Sequence, residues 1–231
     1  MSDLSSSSSQ LPQNPPPPST NNHHQEGGGG REREGERERE AEVEVEEGGY
    51  AIELYFDPSL ENQILKAWNV LARRQISTRL ISISSRPHIT LLSSRSLGDP
   101  SRLLPLLRSL PGPLPLSLAS VGASSSPSSL FLSPVPTAAL LALHAQLCDA
   151  LRREGVEAGE GYRVDGWMPN VLVADDVPRG RMAEAFTILK DLRLPVSGYA
   201  VEVGLVEFSP VREVFSFPLG GSASASVGGD A

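Results

Sequence analysis

Two stretches of this chain share a frame. Pro87-His88-Ile89-Thr90-Leu91-Leu92 and Trp167-Met168-Pro169-Asn170-Val171-Leu172-Val173 each set a proline before a run of branched and apolar residues. A proline disfavours helix in the residue before it, and the run after it suits a pleated strand, so both stretches predict strands. On a strand, residues two apart project to the same face. His88 and Thr90 therefore point one way while Ile89 and Leu91 point into a core. Asn170 and Leu172 hold the matching positions in the second stretch.

Working outward, residues 50–56 predict a strand, and Asp57-Pro58 supplies a helix cap and a first-turn proline. Ile64, Leu65, Trp68, Leu71 and Ala72 form the apolar stripe of the helix that follows. Residues 80–84 predict a strand, 86–92 the first framed strand, and 100–110 a short helix closed by Pro111-Gly112-Pro113. The apolar runs 114–121 and 130–132 predict two strands, joined by a Ser/Pro hairpin loop. Residues 137–154 predict a helix with Leu140, Leu141, Leu143, Leu147 and Leu151 on its face and Gly155 at its end. The second framed strand, 167–174, precedes a helix over 178–192 and strands over 199–208 and 211–217 that meet at Ser209-Pro210. Each half thus runs strand, helix, strand, strand from its proline. The expected fold is α+β, a two-lobed pseudo-symmetric domain whose matched strands face each other.

Composition divides the 231 residues into three parts. Residues 1–49 hold a Ser run (5–9), a Pro run (15–18), a Gly run (27–30) and an Arg/Glu tract (31–40), with too little apolar surface to offset ordering. They predict a disordered acidic tail. Residues 50–219 form the domain, and 220–231 a flexible Gly/Ser/Ala tail. The first 49 residues carry eleven acids against four arginines, whereas the rest carries seventeen acids against sixteen bases. A nearly neutral domain is poor material for gripping duplex nucleic acid by its phosphates. The absence of any 18-residue apolar stretch excludes a spanning helix, and no secretory pattern opens the chain. A lone cysteine, Cys148, excludes an internal disulfide and a cysteine-built zinc site. A cytoplasmic monomer is expected, with the nucleus and the plastid as the alternative compartments.

An imidazole beside a hydroxyl can exchange a proton near neutral pH and hydrogen-bond a phosphate oxygen. Pro87-His88-Ile89-Thr90-Leu91 resembles the first motif of the two-histidine (2H) phosphoesterases, the superfamily of 2′-5′ RNA ligase-like proteins and cyclic nucleotide phosphodiesterases. Trp167-Met168-Pro169 stands in the frame of the second motif. The stretch from Phe131 through Leu147-Cys148-Asp149, and the one from Pro195-Val196-Ser197-Gly198-Tyr199 to Phe217, look most like the plant branch. The resemblance spans roughly residues 50–219 and implies two histidines flanking a phosphodiester or cyclic phosphate, one taking a proton and the other giving one. It further implies that two hydroxyl side chains hold the non-bridging oxygens and that no metal or other cofactor is needed.

The chain departs from that pattern at its second motif. Asn170 stands where the second histidine belongs and Leu172 where the hydroxyl belongs. An amide does not shuttle protons near pH 7, and leucine neither donates nor accepts. His88 remains as a catalytic candidate, with Thr90 and Asn170 as substrate-binding residues and Tyr162 and Arg163 as cleft-edge residues. His144, on the apolar stripe with Cys148, is expected to be structural, and His23-His24 sit in the tail. Three readings follow: a binder of a nucleotide or RNA-end cyclic phosphate with reduced or absent turnover, a competent cyclic phosphodiesterase with a substitute for the second histidine, or a partner-binding module.

Overall fold

The computed structural model describes residues 48–125, 128–208 and 211–221. Their elements run β1 (Gly49–Phe56), α1 (Pro58–Arg73), α2 (Arg79–Ser82) and β2 (His88–Ser94). A single 3-10 turn then leads into α3 (Leu104–Arg108), followed by β3 (Leu114–Ser125), β4 (Ser128–Pro134) and α4 (Ala138–Arg153). The chain continues through β5 (Val171–Ala174), α5 (Met182–Lys190), β6 (Val196–Phe208) and β7 (Arg212–Pro218). The strands form one antiparallel sheet in the order β2-β1-β6-β3-β4-β5, with β7 added to β6.

β6 serves both lobes. Its residues 196–200 pair with 114–118 of β3, while 200–208 pair with β1 and 202–207 with β7. One lobe is β2-β1-β6-β7 and the other β5-β4-β3-β6. The terminal strands β2 and β5 come within 8 Å of each other, Cα to Cα. The order β2, α3, β3, β4 is repeated by β5, α5, β6, β7, so the expected two-lobed α+β repeat is what the chain builds.

α1 begins at Asp57, whose Oδ1 accepts from the backbone N–H of Ser59 (2.9 Å) and Leu60 (3.2 Å) while Oδ2 accepts from Tyr199 N–H. Burial works against this carboxylate, but the donors of Tyr199, Leu60 and Ser59 outweigh it and hold its pKa below the ordinary value. The cap thereby ties α1 to β6 as well as starting the helix. Leu60, Ile64, Ala67, Trp68 and Leu71 are buried along the α1 stripe. On α4 the buried face is Leu140, Leu143, His144, Leu147, Cys148 and Leu151, and Leu141, expected there, is exposed. Gly155 follows α4 with φ +77°, the left-handed conformation that ends a helix without a Cβ clash.

Several expectations are corrected. Residues 80–84 are not a strand: Ile81 and Ser82 donate to Thr78 O (3.1 and 2.9 Å), closing the turn of α2, and Ser84 has φ +54°. Only Leu80 is buried there, so the branched residues Ile81 and Ile83 have no sheet to join and stay exposed. The second framed strand begins at Val171 rather than Trp167, because Trp167 N–H donates to Arg163 O (2.8 Å) and closes a turn. The serine-rich hairpin is mostly strand, with Ser124 opposite Ser129. At the two ends of the described domain, Gly49 is buried in β1, and Gly220 N–H donates to Leu110 O (3.1 Å). Residues 1–47, with His23-His24 and the Arg/Glu tract, and residues 222–231 lie outside the described residues, as does the Ser209-Pro210 corner. Among the described residues no helix is long and apolar enough to cross a membrane.

The tie between α1 and β6 depends on a bare backbone. A Cβ at Gly198 would fall 2.5 Å from Asp57 Oδ2 and 2.6 Å from Leu60 Cβ. Gly198→Ala must displace the cap and is expected to cost about 1–3 kcal/mol, read as a lower urea midpoint at unchanged slope.

Candidate functional site

Antiparallel pairing sets Tyr55 opposite His88 and Glu53 opposite Thr90. The register then shifts, with Ile52 opposite Leu92, so Leu91 is an extra residue on β2. This bulge explains why Leu91 and Leu92 are both buried while His88 and Thr90 are half-buried on the other face. Ala51 and Glu53 of β1, His88 and Thr90 of β2, Leu172 of β5 and Phe208 of β6 line one cavity of about 430 Å³. The segment carrying α2 walls it with Arg79, Leu80, Ile83 and Ser85. The two framed strands thus meet at one site, as their matching patterns implied.

His88 Nδ1 lies 2.6 Å from Arg86 O and 3.4 Å from Glu53 Oε2. A carbonyl only accepts, so Nδ1 carries the proton and Nε2 is the nitrogen left for a ligand. Arg86 is itself anchored to Glu202 of β6 (2.6 Å) and Glu61 of α1 (3.4 Å), with its guanidinium 4.3 Å from the Tyr55 ring centre. Glu53 is 8% exposed and accepts from the Tyr55 hydroxyl at 3.0 Å. Burial pushes the Glu53 carboxyl above its ordinary value, and His88 and Tyr55 partly oppose that. Burial and the adjacent Glu53 also push the Tyr55 hydroxyl up. Glu53 and Tyr55 were not singled out from sequence. The available signal was a carboxylate between Ile52 and Leu54 in a strand otherwise built to be buried.

Asn170 does not line the cavity. Its Nδ2 donates to Met168 O at 3.0 Å, within its own turn, while Leu172 two residues on faces the cavity. Burial pushes the Tyr162 phenol up, and the nearby Thr90 side chain partly opposes that. Tyr162 also walls a larger neighbouring hollow of about 750 Å³ that contains neither His88 nor Thr90. Arg163 is exposed and lines a separate hollow with Cys148 and Arg152, away from His88. Among the described residues no group of three or more His, Cys, Asp or Glu could hold a metal ion.

Trp167 connects the lobes. Its Nε1 donates to Thr90 O on β2 at 3.0 Å, and its ring stacks on His144 at 3.9 Å with 10° between planes. A second indole works in the reverse sense, Trp68 Nε1 of α1 donating to Leu172 O on β5 at 3.0 Å. His144 is 1% exposed, with Cys148 Sγ 3.5 Å from its Nε2, so the expected structural role of this histidine is carried by a stack.

Burial holds the His144 imidazole below its ordinary value near 6.5, although the main-chain groups of Tyr162 and Leu91 pull the other way. The unfolded chain therefore takes up this proton first as pH falls. Stability is full above about pH 6.5 and declines below it by up to about 1.4 kcal/mol per pH unit until the folded form also protonates. His144→Gln, which does not titrate, should show a shallower decline between pH 7 and 5 in parallel urea titrations. Equal slopes for the two proteins would refute this assignment.

Comparison with known proteins bears on the family and the fold. A family profile of the 2′-5′ RNA ligase superfamily matches residues 57–211. A crystal structure of a phosphoesterase shares the fold at 16% identity and a TM-score of 0.52, over 74% of this chain and 97% of that one. Escherichia coli LigT complexed with 3′-AMP does so at 15% identity and 0.52, over 74% and 98%. No curated protein sequence matches. With the profile covering most of the chain and the fold shared, the protein belongs to the 2′-5′ RNA ligase superfamily.

Proposed function

We propose that this chain binds a nucleotide-type phosphate ester, such as a cyclic phosphate, in the cavity between β2 and β5, with turnover reduced or lost. The observation that carries this reading is the placement of His88 and Thr90 in one cavity with Leu172, the residue two after Asn170. A volume of about 430 Å³ lies within the range of small-molecule sites, roughly 300–1,000 Å³. Binding is further supported by the 3′-AMP complex of LigT, whose fold this chain shares.

In this reading His88 offers Nε2 to the ester, because Nδ1 is engaged by Arg86 O. Thr90, which lines the same cavity, can donate its hydroxyl proton to a non-bridging oxygen. Hydrolysis of a phosphodiester needs one proton taken from the nucleophile and one given to the leaving oxygen. His88 can do either, and Asn170 can do neither. Loss of one such group typically costs about 10²–10⁴-fold. A second reading, a competent one-histidine phosphodiesterase, is favoured by the Glu53 carboxylate 3.4 Å from His88 Nδ1, which would stabilise the imidazolium formed in proton transfer. Turnover by the unsubstituted protein, abolished by His88→Ala, would select it.

Titration with a 2′,3′-cyclic nucleotide and with ADP-ribose cyclic phosphate, reading binding and turnover together, tests the proposal. Saturable binding with little turnover is expected, and no binding of either ligand overturns it. Asn170→His should raise turnover by about 10²-fold or more, provided that the imidazole turns to the ester and is not held at Met168 O as the amide is. Leu172→Thr should add a charge-assisted hydrogen bond of about 1.5–3 kcal/mol, since position 172 faces the cavity. His88→Ala in that background should abolish the gain, because paired groups do not contribute independently.

A further inference from the structure

The cavity at His88 is poor in positive charge. Its charged walls are two carboxylates, Glu53 and Asp175, and among the described residues lining it Arg79 is the one arginine or lysine. An anionic phosphate entering beside Glu53 needs a cation close by, and the second framed strand offers only Leu172 there.

Arg79 is built into position. Ser77 Oγ donates to Asp175 O (2.7 Å) and accepts from Asp175 N–H (3.0 Å), fastening the loop before α2 to the end of β5. Arg79, the first residue of α2, then reaches Asp175 with Nε 3.3 Å from Oδ2. The arginine side chain is 49% exposed and the aspartate 17%, so the cation stands on the open side of the pair. Partly exposed pairs of this kind are weak, and exchange of a carboxylate partner for a phosphate is easy. The planar guanidinium also suits two-point contact with phosphate oxygens.

We propose that Arg79 is a binding residue for the ligand's phosphate, turning from Asp175 to the non-bridging oxygen that the side chain at position 172 does not hold. Asp175 acts as the latch that keeps the guanidinium at the cavity mouth while it is empty. The proposal rests on the binding reading above and names the charge partner that reading lacks.

The test uses the full chain and 2′,3′-cyclic AMP, with calorimetric titration at low salt. Arg79→Gln should weaken binding at least 10-fold, and Arg79→Lys less. Asp175→Asn removes the same ion pair but keeps the cation and deletes a repelling carboxylate, so it should tighten binding severalfold. Equal weakening by Arg79→Gln and Asp175→Asn would show that the pair matters only as a loop tie, and would overturn the proposal. So would wild-type affinity in Arg79→Gln. An unsubstituted protein that binds no cyclic nucleotide overturns the binding reading, and this inference with it. A measurement without substitution is the Arg79 Nε–Hε nitrogen resonance, which should shift on saturation with the nucleotide. A resonance that does not move at saturation overturns the proposal even if the variants fail to fold.

Discussion

The hydrogen bond from Trp167 Nε1 to Thr90 O is the constraint on which the site depends. β2 and β5 are the two ends of the sheet's pairing order, and no backbone ladder joins them. Their approach is instead held by side chains, with Trp167 reaching from the second lobe to the first and Trp68 reaching from α1 to β5. The stack of Trp167 on the buried His144 fixes the indole plane, so α4 also takes part in setting the distance between the two motif strands. An indole N–H offers one directional donor on a large apolar body, which suits it to a buried crossing of this kind.

The shared strand β6 makes that crossing possible. Its first residues extend the second lobe and its last residues extend the first, so neither lobe can turn without bending a paired strand. Asp57 reinforces this, because one carboxylate caps α1 and accepts from Tyr199 at the point where β6 passes between lobes. A rigid frame of this kind is what a site made from two edge strands requires, since reacting groups must be held within a fraction of an ångström.

The site itself is one-sided. On the β2 side, His88 is oriented by a carbonyl and backed by a buried carboxylate that accepts from Tyr55. On the β5 side, Asn170 is turned into its own loop and Leu172 presents hydrocarbon. A carbonyl and a carboxylate beside an imidazole are found on the β2 side and not on the β5 side. The charged side chains on that side are Asp175, which follows β5, and Arg79 at the start of α2.

The sequence by itself determined the elements whose signals are local. The Asp57-Pro58 start of α1, the leucine face of α4 closed by Gly155, and the two proline-framed strands all follow from capping, periodicity and backbone restriction. It also determined the chemistry of positions 88, 90, 170 and 172, because residue type alone says what can move a proton. Tertiary structure decided what local signals cannot carry. Ile81 and Ile83 look like strand residues, yet no sheet edge is offered to them and the segment closes as α2. Glu53, Tyr55, Arg79 and Asp175 reach the site only through strand register and loop packing, over separations of tens of residues in the chain. Register is set by which faces are buried together, and that is a property of the whole sheet.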